Sequence, residues 1–178
     1  MNGSGSSGLI GRWKLISTGG TTIASSEIDV LGDKLLAENT LIYTSSNAIG
    51  FYDITSTEFK GNGIGYDFSG RLILKVYENG VLINETPSLI PSSTIPASNP
   101  TSKYKLVGAD SIYFEGSTGA VQFQAGGTAT VPAGCRYKIE GNRLTMRMKY
   151  SASYTSSNSG ITSLDKQWAD VEVILERQ

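Results

Sequence analysis

The sequence predicts an all-β protein: a single closed antiparallel β-barrel with long polar loops. Three observations carry this. Apolar residues recur with period two and hardly anywhere with helical spacing. Two stretches read as tight β-hairpins. The chain also begins and ends on short apolar strands whose residues suit contact with each other, Gly11-Arg12-Trp13-Lys14-Leu15 and Val171-Glu172-Val173-Ile174-Leu175-Glu176-Arg177.

The alternation is clearest over 143–150. Leu144, Met146, Met148 and Tyr150 fall on one face, and Arg143, Thr145, Arg147 and Lys149 fall on the other. Before it, Cys135, Tyr137 and Ile139 alternate with Arg136, Lys138 and Glu140, and Glu140-Gly141-Asn142 turns the two strands into a hairpin. A second hairpin joins 71–77 to 81–83 through Glu78-Asn79-Gly80, where Asn-Gly suits the positive φ angles of a type I′ turn. Further strands are expected at 12–17, 40–44, 49–54, 103–107, 111–115, 121–124 and 171–177, about ten in all, a spacing that reads as a barrel or sandwich. Residues 31–38 could be helical, but Gly32 and Asp33 argue for a turn. Three segments read as long loops: proline-rich 87–100, Gly/Ala/Thr-rich 125–134, and Ser/Thr/Asn/Gly-rich 151–165.

With 178 residues, the chain is one generous domain, large enough to bury its core without a disulfide or metal staple. Residues 9–178 are expected to form that domain. The leader 1–8 is set apart as either a fusion scar or a tether left after signal removal. Charged residues make up 17%, below the usual ~25%; Ser, Thr, Gly and Asn replace them, which fits an exported β-protein. The net charge of −1 gives no bulk attraction to nucleic acid or an anionic membrane. No apolar run approaches the ~18 residues of a spanning helix.

The chain has no histidine, which removes the common triads, the usual zinc sites and imidazole acid–base chemistry. The lone cysteine, Cys135, is in phase with Tyr137 and Ile139 and reads as a buried thiol. Gly61-Asn62-Gly63-Ile64-Gly65 is followed by no helix and reads as a plain turn. Asp53, Glu58 and Asp67 cluster in sequence, but nothing separates them from solvated charges, so no catalytic residue, metal or cofactor is assigned. Glu172 and Glu176 face outward and could pair with Arg147 or Lys149. Trp168 and Tyr154 would suit sugar stacking if exposed.

The Gly11-x-Trp13 start, the run Tyr137-Lys138-Ile139-Glu140-Gly141-Asn142-Arg143-Leu144-Thr145 and the closing Leu175-Glu176-Arg177 resemble the lipocalin-like (calycin) proteins. More narrowly, they resemble the exported lipocalin-like domains of gut Bacteroidetes. The resemblance implies that Trp13 packs at the closed end of a barrel with Arg177 across it, and that a ligand enters opposite. It also implies a secreted protein or lipoprotein of the periplasm, outer membrane or cell surface. The expected function is non-enzymatic binding of a small hydrophobic or amphipathic molecule inside the barrel, with Leu144, Met146, Met148 and Tyr150 on its wall. The alternative is a surface-displayed interaction or carbohydrate-binding scaffold acting through its loops.

Overall fold

The computed structural model describes residues 8–115, 133–158 and 161–178. They form nine strands: β1 (Gly11–Val30), β2 (Asp33–Ile54), β3 (Glu58–Glu78), β4 (Val81–Ser98), β5 (Thr101–Leu106), β6 (Ser111–Phe114), β7 (Ala133–Glu140), β8 (Arg143–Asn158) and β9 (Ile161–Arg177). All belong to one antiparallel sheet, in the order β2-β1-β9-β8-β7-β6-β5-β3-β4, which closes through an additional β2–β3 pairing. Eight strands make the ring. β4 hangs from β3 outside it, and β5 takes over along the first residues of β3.

Strand length dictates this shape. β1, β2 and β3 run 20, 22 and 21 residues, whereas β5, β6 and β7 run only 6, 4 and 8. At ~3.3 Å per residue the long strands reach about 65 Å, far beyond their short neighbours. Among the described residues the sheet therefore closes only where β5–β7 extend. Past them, the described residues of β4-β3-β2-β1-β9-β8 continue as a six-stranded sheet.

The passage from ring to open sheet is marked by register shifts, between Leu15 and Ser17 against β9 and between Ser46 and Phe51 against β3. Such bulges bend a strand and increase its twist. At the second, Gly50 has φ +86°, and a Cβ there would lie 2.3 Å from the Gly63 carbonyl oxygen, so only glycine fits. The run Gly61–Gly65, read from sequence as a turn, is thus the strand segment facing this bulge.

The two-residue turns follow their chemistry. Asn79 and Gly80 have φ of 49° and 82°, as a type I′ turn requires, and Leu31 and Gly32 have 58° and 96°. The turn expected within 31–38 is only Leu31-Gly32, and β2 starts directly after it. Asn79 binds the two hairpin ends together: its Nδ2 donates to Asp33 Oδ1 (3.0 Å) and its Oδ1 accepts from the Lys34 amide (2.9 Å).

Two expected loops are strands. Most of 87–100 belongs to β4, and within 151–165 the described residues 151–158 and 161–165 belong to the far halves of β8 and β9. The prolines are tolerated because, among the described residues, β4 pairs only with β3: a proline lacks a ladder donor, and on an edge strand that loss can fall on the unpaired side. Pro91 and Pro96 also fall where no ladder partner is formed. The expected strands 40–44 and 49–54 are parts of β2. The strand 121–124 and most of the loop 125–134 lie outside the described residues, as do leader residues 1–7.

The core fills the ring. Phe59 packs edge-on against Tyr104 (ring centroids 5.0 Å), Phe114 (5.3 Å) and Tyr52 (6.4 Å), and Leu9, Leu15, Ile64, Ile112, Val171 and Leu175 are buried around them.

Candidate functional site

Pleating sends every second residue of β8 into the ring. Leu144, Met146 and Met148 lie opposite Leu175, Val173 and Val171 of β9 and are 0%, 1% and 2% exposed. They are part of the packed core. Tyr150, the fourth residue of that row, is half-buried against it at the boundary with the open sheet.

At that boundary the interior becomes more polar. Tyr43 is held far above the ordinary phenol pKa by burial and then by neighbouring Tyr66, whose own phenol burial pushes to about 12. Thr18 is close enough to favour the Tyr43 phenolate slightly, yet its buried Oγ1 makes no hydrogen bond of normal geometry among the described residues. Beyond the boundary, the interior-facing rows continue onto the open sheet as Leu41 opposite Leu72, Asn39 opposite Leu74 and Ala37 opposite Val76. Leu72 packs against the ring core, and Leu74 and Val76 are half-buried with no layer over them among the described residues.

The other end of the ring carries the buried Leu9 and Trp13. The Arg177 guanidinium lies 4.5 Å from the Trp13 ring centroid, and its Nη2 donates to the Gly8 carbonyl. Gly8, assigned to the leader on sequence, is thus in contact with the domain. Trp13 Nε1 donates to the Leu9 carbonyl at 2.8 Å, which satisfies the indole of a fully buried side chain.

The carboxylates grouped in sequence do not meet in space as a catalytic pair. Asp53 accepts from Arg12 (2.8 Å) and Asn62 (3.0 Å), and Asp67 accepts from Thr94 (2.6 Å) and Asn47 (2.8 Å). Hydrogen bonds from Arg12 and Asn47 respectively lead in holding both below the ordinary carboxylate range, which suits fixed anions rather than proton donors. Cys135 is buried, with its thiol pushed up to about 12 by desolvation. Among the described residues, no group of three Cys, Asp or Glu could hold a metal, and no helix is long and apolar enough to cross a membrane.

On the outer face, Glu172 lies directly opposite Arg147, as expected, and attracts it at longer range, while the close ion pairs of both Arg147 and Lys149 are with Asp170. Arg147 Nε and Nη2 grip it at 2.8 and 2.7 Å, and Lys149 Nζ lies at 3.2 Å. Sequence reasoning missed Asp170 because register, which depends on backbone pairing, decides which acid sits beside which base. Trp168 is 39% exposed within β9 and Tyr154 49% within β8. Their cross-strand partners, Ser151 and Asp165, place them on opposite faces, so they do not form one stacking platform.

An open groove of about 390 Å³ crosses the outer face of β6, β7 and β8. Tyr113, Gly134, Arg136, Arg147 and Lys149 border it, with Val107 at one end. None of these was assigned to a site from sequence; the basic outer row 143–149 was the one visible signal.

Comparison of the chain with protein-family models, curated proteins and solved structures finds no match.

Proposed function

We propose that this protein is an exported, non-enzymatic binding module of lipocalin-like type that takes a small hydrophobic or amphipathic molecule at the open end of its ring. One observation carries the reading: the apolar interior face runs on past the boundary through Leu72, packed against the ring core, to half-buried Leu74 and Val76, over which no layer lies among the described residues. In this arrangement Leu144, Met146 and Met148 are the packed floor, and Tyr150 is the first residue a ligand meets. The next-neighbour order of the eight ring strands and the stacking of Arg177 on Trp13 support the lipocalin-like part. Affinity comes from apolar area removed from water, at about 25 cal/mol per Å².

Titration with the neutral fluorophore N-phenyl-1-naphthylamine tests this. Saturable binding is expected, weakened by about tenfold or more in Leu74→Arg, which places a charge where the apolar body would lie. Equal binding in that variant, with an unchanged melting temperature, refutes the open-end site. Met148→Arg is unsuitable, because a charge forced into the packed core would unfold the ring rather than report on binding.

A second reading, a surface-displayed interaction or carbohydrate-binding scaffold, rests on the joined hairpin ends. There Leu31 is fully exposed, with Val81, Leu82 and Ile83 exposed on the adjoining hairpin. It predicts partner or glycan-array signals lost in Leu31→Ser/Ile83→Ser and kept in Leu74→Arg.

A further inference from the structure

We propose that the outer groove over Gly134 is a binding site for a small amphipathic anion, a carboxylate, sulfate or sulfonate head on a flat apolar body. The site is separate from the open end of the ring and lies on the opposite surface of the wall. Across β6, β7 and β8, Tyr113, Gly134 and Lys149 are successive cross-strand partners, and in the next row so are Ser111, Arg136 and Arg147. Gly134 leaves a gap in the first row: a Cβ built there meets nothing within 4 Å among the described residues. The resulting groove of about 390 Å³ is mainly apolar and falls within the size range of small-molecule sites.

The charges around it are uneven. Lys138 has Glu140 at 2.6 Å, Lys105 has Glu115, and Arg147 and Lys149 share Asp170. Arg136 has no carboxylate partner among the described residues, and residues 116–132 contain no Asp or Glu in their sequence. It also lies directly opposite Arg147, an unfavourable placement of like charges on neighbouring strands. Because Arg147 turns its Nε and Nη2 to Asp170 on β9, the uncompensated charge sits on the β7 side, above the gap. An anionic head there meets a guanidinium fork, and its apolar body lies over Gly134 against Tyr113.

The test is titration with 1-anilinonaphthalene-8-sulfonate, followed by fluorescence and calorimetry at low salt. Saturable binding is expected. Arg136→Gln, a surface change, should weaken it by about tenfold, the loss of one hydrogen bond to a charged group. Gly134→Leu, which fills the gap, should abolish it while the circular dichroism spectrum stays native. Leu74→Arg should leave it unchanged, which separates this site from the one at the open end of the ring. Absence of saturable binding, unchanged affinity in either groove variant, or loss in Leu74→Arg overturns the proposal.

Discussion

Replacing Leu31 by Asn should stabilise the protein by about 1 kcal/mol. The β1–β2 and β3–β4 hairpins close with two-residue turns of the same kind, both residues having positive φ. One turn uses Asn79-Gly80 and the other Leu31-Gly32, so the protein contains its own control. A non-glycine residue in the left-handed region costs about 1–2 kcal/mol, and asparagine tolerates it best. Leu31 is 102% exposed, so its side chain returns no burial energy that the substitution could forfeit. In a chain of this length, 1 kcal/mol moves the melting temperature by about 2–4 °C. The reciprocal Asn79→Leu should lose more, about 2–3 kcal/mol, because it adds the same strain and removes the bonds to Asp33 and Lys34. Thermal and urea melts of the two variants measure both. An unchanged or lowered melting temperature in Leu31→Asn would refute the reasoning, since strain without compensation could not then be the state of that turn.

Arg177→Ala should cost about 1–2 kcal/mol through lost stacking on Trp13 and the lost bond to Gly8 while leaving fluorophore binding intact; an unshifted thermal melt would contradict this. Leu144→Ala should cost about 2–5 kcal/mol by urea denaturation, and a loss well below 1 kcal/mol would mean a loosely filled interior. Asp170 has its pKa lowered to about 2, chiefly by Arg147, so its contribution is complete above the unfolded carboxyl value near 4 and is lost as pH falls through 2. Screening of the exposed Arg147 and Lys149 limits that contribution to about 1 kcal/mol, and Asp170→Asn should flatten the fall in stability between pH 4 and 2. The Cys135 thiol should resist a water-soluble disulfide reagent at pH 8 until urea opens the ring; rapid native reaction would contradict its burial.

The parts of the fold legible in the sequence are those where burial on one face enforces alternation. The run from Cys135 to Tyr150 is a hairpin with the expected inward row, turning at Gly141-Asn142, and Asn79-Gly80 marks the turn between β3 and β4 as expected. Alternation fails as a signal where both faces of a strand meet solvent. β4 and the far half of β8 are almost wholly exposed, so they need no apolar period and carry prolines or serines instead. Their strand character comes from pairing with β3 and β9, which no local pattern reveals. The candidate sites were hidden for the same reason. Leu72, Leu74 and Val76 lie in a strand whose sequence does not show how far its neighbours reach, and Arg136 gains meaning only beside Gly134 and Arg147.

The prolines of β4 bear on how far the sheet can grow. A newcomer strand laid along that margin would find no donor at Pro87, Pro91 or Pro96, so lateral polymerisation stops there. The margin of β8 beyond Tyr150 has no proline and no described neighbour on its outer side. Of the two margins, only that of β8 lacks both a proline and a neighbour among the described residues, and a single proline placed in its far half would deny a newcomer strand its donor there as well.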